Sequence, residues 1–195
     1  MSHTATVQIE GMSAYSQSRY HNTEKLPKEA HEDYEARTWR EKGHWNSEGK
    51  MVIPPMSIKQ ALDSAVKRSG KQIPGKGKAT YTKHFTGGCM VFEPAVILGA
   101  DGQPITRETV GCFGGMMSST GEKGKTGGKV VYRQFPEVDA PWIATVSFEI
   151  LDEVITGPIF EEMLSETGKF IGIGRFRPQN GGFCGRFSVE GVDWN

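Results

Sequence analysis

VIPPMSIKQALDSAVKR, residues 52–68, carries the end of a strand, a Pro-Pro turn and a helix whose start and stop are both marked. Ser57 is the predicted N-cap, with Gln60 three residues later in a capping-box arrangement. Ile58, Ala61, Leu62, Ala65 and Val66 recur at the spacing of one helical face. Lys67 and Arg68 fall in the last turn and Gly70 follows as a C-cap. A helix with a single apolar stripe packs on a sheet, and Lys59 is left near its start.

Outward from this helix, hydrophobic periodicity supplies the partners. Thr4 to Ile9 alternates as a first strand. Residues 13–50 are polar and of mixed charge, with a helix expected from about Pro27 to Lys42, and read as an insertion. The basic segment SGKQIPGKGKATYTKH, residues 69–84, reads as a linker to a second strand region around 85–98. Residues 99–135 are glycine-rich and end in a returning strand, which predicts a protruding flap or hairpin. WIATVSFEIL, residues 142–151, is the clearest strand. A short helix with Pro158 in its first turn and Gly168 at its end precedes a last strand near 183–189. The order β, insertion, α, β, flap, β, α, β defines an α+β chain with a ferredoxin-like, RRM-like split βαβ core in a single domain over 1–195. Sheets of this type are frequent RNA platforms.

The second informative stretch is FIGIGRFRPQNGGFCGRF, residues 170–187, with five glycines, three arginines, four phenylalanines and no acid. Glycines at 172, 174, 181, 182 and 185 allow a main-chain path that brings N–H groups to a ligand. Arg175, Arg177 and Arg186 are planar donors suited to phosphate, and Phe176 offers a face for a base. A glycine-rich hairpin with core phenylalanines and solvated arginines is the other reading of the same residues. Formal net charge is zero, yet residues 67–88 hold six bases and no acid, while 134–168 hold eight acids and no base. That segregation suits one nucleic-acid face and another that meets a partner.

Together, IPPMSIKQAL and IGIGRFRPQNGGFCGRFSV resemble the turn-and-helix motif and the C-terminal glycine-rich loop of the RAMP superfamily, the RRM-like proteins of CRISPR ribonucleoproteins. The two motifs stand in the family's order, about a hundred residues apart. The likeness is greatest to the backbone subunits that coat guide RNA. Pro55 and Gln60 depart from the family pattern, which usually has glycine at those places. The resemblance implies an RNA-binding, antiviral-defence subunit that holds guide RNA by sequence-independent phosphate contacts. Its implied partners are single-stranded guide RNA, target nucleic acid, neighbouring copies of itself and other CRISPR effector subunits, with no cofactor and no membrane. It also implies RNA contacts for Lys59 and for Arg19, Tyr20 and His21 at the end of the first strand. Two alternatives stay open: a RAMP-type endoribonuclease, and a phage-encoded mimic of a backbone subunit.

Lys76, Lys78 and Lys83 lie on the Gly-Pro segment with Tyr81 and Phe85 between and beside them, a composition that can follow a phosphate backbone. His31 and Asp33 are the candidates for a catalytic role, set against a charged helix on the surface as the plain reading. SSTGEKGKTGG, residues 118–128, nearly spells a P-loop, but lacks its first glycine and a preceding strand. It reads instead as a hairpin tip offering Lys123, Lys125 and Lys129 to RNA. The five histidines lack metal-ligand spacing. Three cysteines without CxxC spacing indicate neither disulfides nor zinc. With no secretory pattern in MSHTATVQIE, the expectation is a soluble, cytoplasmic chain.

Overall fold

The computed structural model describes residues 3–118 and 130–195. Strand β1 (His3–Gly11) is central. It is followed by β2 (Tyr15–Ser16), α1 (His31–Thr38) with a 3₁₀ turn at Trp39–Lys42, β3 (Val52–Ile53), α2 (Pro55–Ser69), α3 (Thr82–Gly88), β4 (Cys89–Met90) and β5 (Ala95–Leu98). Then come β6 (Gly111–Ser118), β7 (Val130–Val138), β8 (Ile143–Ile150), α4 (Gly157–Glu166) and β9 (Phe187–Trp194). The main sheet runs β3-β5-β8-β1-β9, with β4 also on β8, and every pair is antiparallel. Taking β1, β5, β8 and β9 as the four core strands, this is the 4-1-3-2 order of a split βαβ core.

One face of that sheet is the core. Ala5, Val7 and Ile9 of β1 and Ala144, Val146, Phe148 and Ile150 of β8 point into it. The stripe Ile58, Ala61, Leu62, Ala65 and Val66 of α2 covers it together with Ile159, Phe160, Met163 and Leu164 of α4. Phe148 meets Phe160 edge-on at 5.0 Å between ring centroids. The opposite face carries Thr4, Thr6, Gln8, Thr145, Ser147 and Glu149, the alternate residues of the same strands. It bears no aromatic from β1 or β8 on which a base could stack. The sheet surface is therefore not the stacking platform that the RRM-like pattern led us to expect.

Three local expectations change. Helix α2 begins at Pro55, with Pro54 in the N-cap position and no side-chain cap, so Ser57 lies inside the first turn. Proline's fixed φ supplies the start that a serine cap was expected to give. Gly70 closes the helix at φ 58, as its sequence indicates. The basic linker runs at its end into a helix, α3, and Tyr81 and Phe85 are buried there. The insertion helix is shorter than the span 27–42 and contributes to the interior: Glu35, Thr38, Trp39 and Lys42 are buried.

Residues 111–118 and 130–138 pair as the two arms of a hairpin, which β2 extends to three strands. Helix α1 packs on β7 through polar bonds. The Lys42 ammonium meets the Glu35 carboxylate and the Gln134 carbonyl, and Glu35 accepts the Gln134 amide at 2.8 Å. Lys123, Lys125 and Lys129, with most of the P-loop-like stretch, lie outside the described residues.

Candidate nucleic-acid interface

The glycine-rich loop does not stand away from the protein. Gly172, Gly174, Gly181 and Gly185 all take positive φ, and the loop folds back on residues 12–18. Arg175 donates its amide to the Ser16 carbonyl, Gly185 to that of Ala14 and Ile173 to that of Gly185. A Cβ on Gly174 would stand 2.5 Å from the Ser16 carbonyl oxygen, so glycine lets the loop lie flat here. Phe176, a non-glycine residue at φ 54, accepts the Cys184 amide on its carbonyl. The amides of Gly172, Ile173, Arg175, Gly181, Gly182, Cys184 and Gly185 are consumed within the fold. Most main-chain donors expected to face a ligand instead hold the loop in place.

What this docking presents is side chains. A cleft of about 450 Å³ opens between the loop, the chain after β2 and the first turn of α2. Gly174, Arg175, Phe176 and Arg177 line one side; Met56, Ser57 and Gln60 line the other. The Arg175 guanidinium is stacked between the rings of Phe135, at 3.5 Å, and Phe176, at 3.8 Å. Its Nη2 donates to the Met117 sulfur at 2.7 Å, while its Nη1 and the Nε of Arg177 are enclosed and meet no acceptor among the described residues. Burial pushes the Arg175 pKa down to about 10, so it stays cationic at neutral pH. His44, on the same cleft, is held below its ordinary value by burial and by the charge of Arg19.

A second cleft of about 360 Å³ adjoins the first at Ser18, and Arg19, Tyr20 and His21 line it with Tyr34, Arg133 and Phe135. The predicted loop residues and the predicted first-strand residues are thus brought to one surface. Gln17 ties its parts together: its amide nitrogen donates to the Val52 carbonyl at 2.7 Å, and its oxygen accepts the His44 amide. Gln17, Tyr34 and Arg133 escaped the sequence reading, because nothing in local composition marks residues assembled across such separations.

Other predicted residues are elsewhere. Lys59 is 5% exposed, and its ammonium donates to Asp63 at 2.5 Å and to the Phe85 carbonyl at 3.0 Å. Lys76 and Lys78 are exposed in the turn beyond the C-terminus of α2, whose 15 residues place that end about 22 Å from the cleft. Lys83 is exposed on α3, and Arg186 at the entry to β9. The basic segment therefore does not flank the cleft. The charge blocks partly meet each other: Lys71 pairs with Glu162, and Arg68 with Glu166 at 3.5 Å. His31 bonds the Tyr132 carbonyl at 2.8 Å, and Asp33 is exposed on α1. Among the described residues, no three His, Cys, Asp or Glu side chains group to hold a metal, and no helix is long and apolar enough to cross a membrane.

Replacing Lys59 by methionine is expected to leave affinity for single-stranded RNA within about twofold, while removing a buried hydrogen-bond donor worth about 1 kcal/mol to the fold. Fluorescence polarisation and urea denaturation of one variant read both quantities. A tenfold loss of affinity would return Lys59 to the RNA path.

An antiparallel 4-1-3-2 sheet with two covering helices, one of them the proline-initiated α2, makes this an α+β protein with a ferredoxin-like core, to which a docked C-terminal glycine loop is added. No protein-family model matches the sequence, and no curated protein matches it. Solved structures match at the level of fold. The crystal structure of Cmr6 from Pyrococcus furiosus aligns over 97% of this chain and 98% of that one, with 15% identity and a TM-score of 0.51. A chain of the type III-B Cmr-beta complex, determined by cryo-EM bound to cognate target RNA, aligns over 99% of this chain with 9% identity and a TM-score of 0.52. This chain spans 60% of that longer one.

Proposed function

We propose that the chain is an RNA-binding subunit of a CRISPR-type ribonucleoprotein, which holds guide RNA through its backbone in the cleft between α2 and the glycine loop. The observation that carries the reading is Arg175. Its charge is fixed in an aromatic stack on the wall of a cleft, and one terminal nitrogen is enclosed without an acceptor among the described residues. A buried donor with no acceptor is costly, and a phosphate oxygen removes the cost. Arg177 repeats the pattern beside it. The likeness in fold to Cmr subunits, one of them from a complex bound to target RNA, supports the same reading.

In this proposal successive copies, or related subunits, add along the strand. Because Arg68 and Lys71 are paired with acids of their own chain, the RNA and the β6–β7 hairpin, rather than attraction between free basic and acidic faces, set the assembly. Native mass of the purified chain with a length series of single-stranded RNA at two salt concentrations tests this. The number of bound copies is expected to rise with RNA length, and affinity to fall steeply with salt. A fixed stoichiometry at every length would sink the guide-coating role; cut RNA would favour a processing enzyme.

A further inference from the structure

From the second cleft, we infer that this protein takes one unstacked nucleobase of the bound strand beside the phosphate path, between Tyr20 and the guanidinium groups of Arg19 and Arg133. The inference rests on the RNA-binding reading and adds a base-selective position to it.

The cleft differs in kind from its neighbour. Tyr20 is 88% exposed, the most exposed large apolar side chain among the described residues, and its ring packs on no other described ring. His21 lies nearly parallel to Tyr34, with ring centroids 6.2 Å apart. Its Nδ1 is enclosed and meets no partner among the described residues. An unpaired tyrosine face at the edge of a polar recess is the arrangement on which an extruded base stacks.

The hydrogen-bonding groups around it select the kind of base. The acidic group of the recess is occupied, since Glu35 accepts from both Lys42 and the Gln134 amide. The Lys42 ammonium is likewise committed, to Glu35 and the Gln134 carbonyl. Arg19 and Arg133 form no salt bridge or side-chain hydrogen bond among the described residues, so the charged groups left for a ligand are donors. Donors match a base edge rich in acceptors, the carbonyls of uracil or the O6 and N7 of guanine, over the amino-bearing edge of cytosine.

The full chain is titrated with oligouridine, oligocytidine and an abasic oligomer of equal length, and cross-linked to oligouridine carrying 5-iodouridine. Oligouridine is expected to bind about tenfold more tightly than the abasic strand, with cross-links on Tyr20. Tyr20→Ala, a change on an exposed side chain, should lower oligouridine to the abasic level, and Arg133→Gln should erase the preference over oligocytidine. Equal affinity for oligouridine and the abasic strand, or cross-links confined to Phe176, would overturn the base site while leaving the phosphate cleft intact. Absence of binding to every strand would remove both readings.

Discussion

Lys42→Met is expected to cost the fold about 3–5 kcal/mol at neutral pH, because it strands the Glu35 carboxylate in the interior with its charge uncompensated. Both side chains are buried, and Glu35 keeps only the Gln134 amide once the ammonium is gone. Burial acts to raise the Glu35 pKa, but the Lys42 ammonium and the Gln134 amide outweigh it and hold the carboxyl below the usual glutamate range. A carboxyl lowered on folding contributes stability above its unfolded pKa and loses it as pH falls through the folded value. The wild-type protein should therefore weaken as Glu35 is protonated. In the variant the same group, desolvated without its partner, is protonated more readily, which relieves the stranded charge. The gap between the two proteins should be widest near pH 7 and narrow toward pH 4. Urea denaturation across that range reads it; a gap that stays constant would show that the ion pair is not its source.

The second large effect concerns RNA. Arg175→Met should weaken binding of single-stranded RNA by about 10–100-fold, the loss expected when a charge-assisted hydrogen bond worth about 1.5–3 kcal/mol is removed. Methionine suits the slot between Phe135 and Phe176, since a thioether packs well on aromatic rings, so the thermal midpoint should move little. Arg175→Lys keeps the charge but not the planar stack and fork, and should fall between the two. With one fewer phosphate neutralised, the salt dependence should also flatten, by roughly 0.7 in the slope of log affinity against log salt. Polarisation titrations at three salt concentrations suffice. Unchanged affinity with an intact fold would dismiss Arg175 as a phosphate ligand.

These two residues mark how far the sequence could be read. The apolar stripe of α2, the alternation in β8 and the glycine loop are local patterns, and the order of elements follows from them. Lys59 misleads because its burial is created by α3, a helix with two terminal glycines and no apolar period that local pattern detects. Glu35 and Lys42 sit in a segment so polar that every charge in it reads as solvated, yet the pair is enclosed by β7, about a hundred residues away. Arg175 was legible as a donor, but not its stack. Phe135 belongs to the hairpin and Phe176 to the loop, and only the fold brings both to one guanidinium.

Residues 12–19 are bonded on one side to the glycine loop and on the other to β7, with Gln17 reaching β3 and Arg19 reaching Lys42. During synthesis this stretch emerges long before its partners at 134–138 and 172–186. A nascent chain therefore carries the first cleft only as unjoined fragments until the glycine loop has left the ribosome. Under the proposed function, capture of RNA in that cleft is deferred until the loop is made, and fragments truncated before it would not compete there with the full chain.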